Sequence, residues 1–453
     1  MYSARPGLCH SDSLARRTVL RSVLETRTSD NVKRRIRIVP CVLAGLLLFE
    51  GCQKTPSRLG SSGEPNRATP VRSSEAAGKK STAPIGPSQL VEAASQGDLP
   101  LLEQAVRAGI SLDQPDPHGV VALVAAVSQR RADIVRFLLG AGANPRIPLS
   151  GGGSLVHLAV ARGDPEIARI LLQAGAPLES LDGEGRTPLA LAVELDDPAM
   201  VRELVQAGAN PNQEEPKYGQ PLVMSAILEE KDAVLEALLE NGADPNVSLA
   251  NHTLGLEQWL KSFPDPKEHV SWYLHHERSI TALMLATLVG RESSAEILLR
   301  FGADPDRVTR PHGMTALDFA AEAHRNTLLQ ILLGKSPRPE DQRYWIWVSL
   351  GSQRARLYDS ENLLLEAPIS TGRRGYETPK GEYVVTQKYK SWVSTLYRAP
   401  MPHFLRLNCG PMGLHGGPLP GYPASHGCIR LPYDKAQAFY RIAQRGTLVY
   451  VTD

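Results

Sequence analysis

The sequence predicts a multidomain chain in which an α-solenoid of stacked helix pairs is followed by a mostly β domain. A short motif recurs about every 33 residues through the middle of the chain. Helical periodicity then stops near Lys335-Ser336-Pro337-Arg338-Pro339, where short β-rich runs begin. The length of 453 residues also exceeds what one hydrophobic core usually fills, so more than one folded unit is expected.

The recurring motif is Ala141-Gly142-Ala143-Asn144-Pro145, repeated as Ala207-Gly208-Ala209-Asn210-Pro211, Asn241-Gly242-Ala243-Asp244-Pro245 and Phe301-Gly302-Ala303-Asp304-Pro305. Shorter forms stand at Ala108-Gly109 and Ala174-Gly175-Ala176. An amphipathic stretch such as Glu166 to Leu172 precedes each copy, and a short apolar helix opened by a turn, as in Gly185-Arg186-Thr187-Pro188-Leu189, comes before that. Such pairs bury their apolar faces only against neighbours, with glycine supplying the left-handed residue after the second helix. In period and motif the region resembles the ankyrin repeat. About seven units are expected in an array over 88–335, weakest at its ends.

The interval from Gly242 to Gly302 exceeds one period by about 27 residues, and the excess falls within an insertion at about 248–278. It carries His252, His269, His275 and His276 with Trp259, Trp272 and Tyr273. A metal site is one reading. The simpler one, a helical insertion that packs its aromatic residues on the array and leaves its histidines to solvent, is the expectation, so no metal is assigned.

Residues 1–52 read as an export segment. Lys33, Arg34, Arg35 and Arg37 precede an apolar run from Ile38 to Phe49 that is too short to span a bilayer. The polar stretch before it fits no signal peptide, which places the expected translation start near Val32. Phe49-Glu50-Gly51-Cys52 resembles a lipoprotein processing site. That resemblance implies lipidation at Cys52, and Gln53 behind it implies sorting to the outer membrane from the periplasm. Residues 53–87 are rich in Ser, Gly, Pro, Ala and Thr and read as a flexible tether. A coil of that length spans on the order of 30 Å.

The 343–453 tail opens with Tyr344 to Leu350, continues through Arg354 to Tyr358 and Glu382 to Gln387, and has the short alternating runs of a β domain. Near its end stand Leu414-His415-Gly416-Gly417 and Ser425-His426-Gly427-Cys428-Ile429-Arg430-Leu431. A thiol attacks a carbonyl as the thiolate, and a histidine within hydrogen-bond reach can take its proton. Immediate neighbours on an extended strand point to opposite faces, which favours a base on an adjacent strand. His415 is therefore the candidate base for Cys428, and His426 the candidate structural or oxyanion-side partner. Gly427 permits close backbone approach, so the N–H groups around Gly427 and Cys428 are candidate oxyanion donors.

This segment is similar to the signature of the L,D-transpeptidases, and Ile369-Ser370-Thr371-Gly372, Thr378 to Tyr383 and Pro400 to Phe404 follow in the family's order. The resemblance covers the last quarter of the chain. It implies attack by Cys428 on the carbonyl between the third residue of a peptidoglycan tetrapeptide stem and its terminal D-alanine, loss of D-alanine, and transfer of the acyl group to an amine. With water as acceptor the same chemistry makes a carboxypeptidase; with a decayed site the chain is a periplasmic scaffold built on its repeats. Ser425, Gly427, Arg430 and Gly416 are expected on the substrate and oxyanion side, with Arg430 either meeting a substrate carboxylate or forming a structural ion pair.

The remaining features narrow the partners. With 50 basic and 48 acidic side chains, no global field argues for nucleic acid. Five cysteines, two of them (Cys9 and Cys41) in or before the export segment, make no disulfide framework. Cys409 reads as a buried small hydrophobe or as a redox partner for Cys428. The proposed chemistry needs no cofactor. Stem peptides, a periplasmic protein on the repeats, and a membrane reached through a lipid anchor are the expected partners.

Overall fold

The computed structural model describes residues 85–214, 219–249, 273–338, 341–394 and 397–453. The export segment, Cys52, nearly all of the tether and the insertion's His252, Trp259, His269 and Trp272 lie outside the described residues.

Among the described residues, seven helix pairs run from Pro87–Gln96 with Leu99–Arg107 to Ala316–Glu322 with Asn326–Leu332. Short helices of this kind are marginal alone, and the sequence marks their ends. Asp98, Asp164 and Asp197 cap second helices by accepting from the N–H groups of Leu101, Ile167 and Met200 at 3.0–3.1 Å. Pro165 and Pro198 follow two of those caps at the first helical position, where a missing N–H costs nothing. After the second helix the motif glycine turns left-handed, as at Gly142 with φ +92° and Gly208 with φ +107°. The polar residues around the motif also link one repeat to the next. Asn210 Oδ1 accepts from Asn212 N, and Asn212 Oδ1 accepts from Asp244 N of the following repeat at 2.6 Å.

Inside the stack, His157 is buried and tied on both ring nitrogens. Nε2 donates to Arg186 O at 3.0 Å, which leaves Nδ1 to accept from Ser154 N and Oγ at 3.1 Å. Burial holds this imidazole below its ordinary value of 6.5, against the opposing pull of the Arg186 carbonyl. The unfolded chain therefore takes up a proton near pH 6.5 that the folded array refuses, so this contribution to stability is present above that pH and is lost as pH falls below it. The thermal midpoint is expected to drop more between pH 7 and pH 5 for the parent than for His157→Gln, which scanning calorimetry on both chains checks.

Of the insertion, Tyr273 packs edge-on against the fully buried Phe319, with ring centroids 5.1 Å apart, and His275 and His276 are exposed. Among the described residues no group of three His, Cys, Asp or Glu side chains is arranged to hold a metal.

The β domain is an eight-stranded sheet. Its strands are β1 (Tyr344–Ser349), β2 (Arg354–Asp359), β3 (Asn362–Pro368), β4 (Gly381–Val393), β5 (Pro400–Leu407), β6 (Gly413–Gly416), β7 (Ile429–Leu431) and β8 (Leu448–Thr452). They lie in the order β3-β2-β1-β8-β4-β5-β6-β7, with β8 parallel to β1 and β7 parallel to β6. The long strand β4 serves both halves of the sheet: its first residues pair with β8 and the rest with β5, across an irregularity between Val385 and Gln387 that bends the sheet. One face of the β5–β7 end is apolar: Leu405, Leu414, Ile429 and Leu431 are buried with Ala436 and Phe439 of the helix Tyr433–Ile442. That packing fixes strand register and sends the alternate residues, His415 and Arg430 among them, to the other face.

Candidate active site

The site is built on the parallel pair β6 and β7. His415 stands opposite Arg430 and Leu414 opposite Ile429. Two residues back from His415 and Arg430, Cys428 stands opposite Gly413. Alternation along a strand then puts Cys428, Arg430 and His415 on one face, the face away from the apolar core. The base expected from an adjacent strand is thus a diagonal neighbour of the nucleophile, a relation that brings backbones within roughly 7–8 Å.

The imidazole is held in one tautomer. His415 is buried, and its Nδ1 lies 2.9 Å from Gly416 O. A carbonyl only accepts, so Nδ1 carries the proton and Nε2 the lone pair. Phe404 meets the ring edge-on at 6.2 Å. The Cys428 thiol is half-buried; it donates to Pro411 O at 3.6 Å, and the Gly413 N–H faces the sulfur.

Burial pushes the Cys428 thiol above its ordinary value of 9.0, against the Gly413 N–H and the Arg430 charge, which both favour the thiolate. Burial likewise pulls His415 below 6.5; the hydrogen bond to the Gly416 carbonyl opposes this and the Arg430 charge adds to it. The two side chains therefore rest near neutral pH as an uncharged thiol and an uncharged imidazole. None of the ion pairs among the described residues involves Arg430, so its guanidinium stands beside thiol and imidazole without a carboxylate.

Ser425 and Gly427 are placed differently from their expected oxyanion side. Ser425 is 1 % exposed; its Oγ donates to Cys428 O and accepts from Gly427 N at 3.2 Å. A four-residue turn closes its own polar groups in this way, so the hydroxyl braces the turn that carries Cys428 and the Gly427 N–H is already bonded. His426 is exposed. Its Nε2 accepts from Arg373 at 3.0 Å, Tyr397 stacks on the ring at 4.2 Å, and Tyr376 meets it edge-on at 4.8 Å. The ring thus joins the β3–β4 loop to the β4–β5 hairpin in a wall next to the thiol. Gly416 contributes the carbonyl that orients His415.

The motifs around the signature act as braces. Ser370 exchanges backbone hydrogen bonds with Arg430 at 3.0 Å in both directions, and its Oγ donates to Tyr422 O. Thr378 Oγ1 donates to Gly427 O at 2.9 Å while accepting from Gly372 N. Gly427 has φ +105°, where side chains are strained. Gly427→Ala is expected to destabilise the domain by about 1–3 kcal/mol and to cut turnover further than stability alone explains; urea melts beside initial rates check this.

Three contributors are not visible in the sequence pattern alone. A side chain at Gly413 would run into Leu405 O and the Phe404 ring, each 2.3 Å from a Cβ there, so only glycine lets this backbone approach the sulfur. A glycine just ahead of the Leu414-His415-Gly416 strand is the one available signal. Pro411 O and the Arg373–Tyr376–Tyr397 surround of His426 have no local signal. Cys409 and Cys428 are both free thiols, and burial pushes Cys409 up as well.

The L,D-transpeptidase catalytic-domain model matches residues 343–451, an ankyrin model of three copies matches 156–248, and a single ankyrin repeat matches 279–310. A Bacillus licheniformis protein named as a candidate L,D-transpeptidase, YkuD, is 31 % identical over 123 residues, covering 25 % of this chain and 68 % of that protein. Among solved structures, the ankyrin repeat domain of Bcl-3 is similar at 26 % identity and TM-score 0.42, covering 55 % of this chain and 99 % of that one. An L,D-transpeptidase from Mycobacterium smegmatis is similar at 20 % identity and TM-score 0.24, covering 25 % and 59 %. The chain belongs to the L,D-transpeptidase catalytic-domain family. It carries that domain at its C-terminal end, behind ankyrin repeats.

Proposed function

We propose that the chain is a peptidoglycan L,D-transpeptidase with Cys428 as nucleophile. The Cys428 proton passes to His415 Nε2 as sulfur attacks the carbonyl between the diamino acid and the terminal D-alanine of a tetrapeptide stem. His415 then returns the proton to the departing amine, and a thioester and free D-alanine result. An amine of a neighbouring stem gives its proton to His415 and attacks the thioester; the C–S bond breaks, Cys428 leaves and takes the proton back from His415, and a 3→3 crosslink is closed. Arg430 is proposed to receive a stem carboxylate, for which its planar fork is suited. The observation carrying this reading is a half-buried thiol and an imidazole of fixed tautomer on one face of two adjoining strands.

Incubation of the full chain with disaccharide tetrapeptides, with the products separated, tests it. Crosslinked dimers and free D-alanine are expected. Tripeptides alone make the enzyme a carboxypeptidase, and no release of D-alanine leaves a scaffold. A mass shift confined to the Cys428 peptide after exposure to a carbapenem checks the nucleophile separately.

The setting we propose is the periplasm, with Cys52 lipidated and holding the chain at the outer membrane, and a periplasmic protein on the concave face of the repeats. Loss of membrane association in Cys52→Ser is the corresponding test.

A further inference from the structure

The repeats and the β domain meet at a polar contact that leads to the thiol. Asn326 opens the last array helix, Asn326–Leu332. Its Nδ2 donates to Glu382 O of β4 at 2.8 Å, and its Oδ1 accepts from Asn408 Nδ2 at 3.0 Å. Asn408 is the first of two consecutive left-handed residues, φ +45° and then +52° at Cys409, in the turn joining β5 to β6. Its Oδ1 accepts from Val384 N at 2.7 Å, so one amide side chain ties the turn to β4 and to the array together.

The other end of that turn touches the nucleophile. Pro411 O accepts from Cys428 Sγ, and the Gly413 N–H that favours the thiolate opens β6. Two residues, Cys409 and Gly410, separate Asn408 from Pro411, and the turn is closed by Gly410 N to Leu407 O at 2.9 Å and Leu407 N to Met412 O at 3.0 Å. A tight turn of two left-handed residues has little freedom to absorb a displacement, so a shift at Asn408 is carried to the groups around the sulfur.

We propose that Asn326 of the ankyrin array is a positioning residue for the transferase site, acting through Asn408 and the Leu407–Met412 turn on Pro411 O, Gly413 N and hence Cys428. The last repeat is then part of the framework of the active site, and a protein bound to the array biases the thiol through it. The proposal rests on Cys428 being the nucleophile, and its test is chosen to stand apart from turnover.

The measurement is the rate at which iodoacetamide alkylates Cys428 in the full chain, followed by mass at the Cys428 peptide and kept well below the thermal midpoint. Asn326→Ala removes both hydrogen bonds of that amide and is expected to slow alkylation about fivefold, the scale of a typical net hydrogen-bond contribution. Asn408→Asp keeps the acceptor for Val384 N but removes the donor to Asn326, so it is expected to give the same slowing and serves if Asn326→Ala does not fold. The double variant is expected to be no slower than Asn326→Ala alone, since that change already cuts the link between the two side chains. Lys335→Ala is the control. Lys335 Nζ bonds Gln444 Oε1 at 3.3 Å across the same junction without leading to the thiol, and its loss is expected to leave alkylation at the parent rate. Parent-rate alkylation in both Asn326→Ala and Asn408→Asp, or equal slowing in Lys335→Ala, overturns the proposal. If the variants slow alkylation while the parent releases no D-alanine, the positioning role stands and the proposed reaction falls.

Discussion

A Cys428→Ser chain is expected to release D-alanine from a tetrapeptide stem at least about 10³-fold more slowly than the parent. Serine is smaller than cysteine, so packing is preserved. What changes is the acidity and softness of the attacking atom. The Cys428 thiol already sits above its ordinary value through burial. A hydroxyl in the same place lies several units higher again, and an imidazole held below 6.5 is too weak a base to make up the difference. Gly413 N–H and Arg430 stabilise an anion on this atom only once it forms. The check is single-turnover D-alanine release, with the thermal midpoint measured in parallel; a serine chain that keeps parent turnover removes Cys428 from the chemistry.

The second large effect belongs to His415. His415→Gln is expected to lower the acylation rate by about 10²–10⁴, with the folded state kept by an amide that still reaches the Gly416 carbonyl. The pH dependence carries the sign. Because the folded-state value of His415 is depressed, the neutral base persists below pH 6.5 and the acid limb of the parent profile lies there. Because the thiol is raised, acylation continues to climb through pH 9. In His415→Gln the acid limb is expected to vanish while the alkaline rise stays, since the thiol then ionises without help. Stopped-flow acylation by a carbapenem between pH 5 and 10 measures both limbs. An unchanged acid limb in the variant assigns it to another group.

How much of the molecule is legible in its sequence follows from how local each signal is. The array can be read because its repeats restate the same short-range demands: an aspartate or threonine cap in several of them, a proline behind some caps, a glycine that must turn left-handed at Gly142 or Gly208. The turn that carries Cys428 is legible for the same reason, since Ser425 to Cys428 is one short segment. The pairing of His415 with Cys428 is of another kind. It depends on β6 lying parallel to β7, a relation that strand alternation alone leaves open. Ser425 and Gly427 are expected to face substrate because their chemistry allows it. The turn instead satisfies their polar groups internally, a choice set by backbone conformation. Asn326 carries no signal, because its partners stand 56 and 82 residues away.

Strand β8 contains the last residues to leave the ribosome among those that build the sheet, yet it sits in the middle, between β1 on one side and β4 on the other. The hairpins β1–β2–β3 and β4–β5 can each close from local contacts, whereas the centre of the sheet waits for Leu448–Thr452 to pair with both β1 and β4. The sheet that carries Cys428 is therefore whole only once a segment some twenty residues further along the chain has taken its place at the centre.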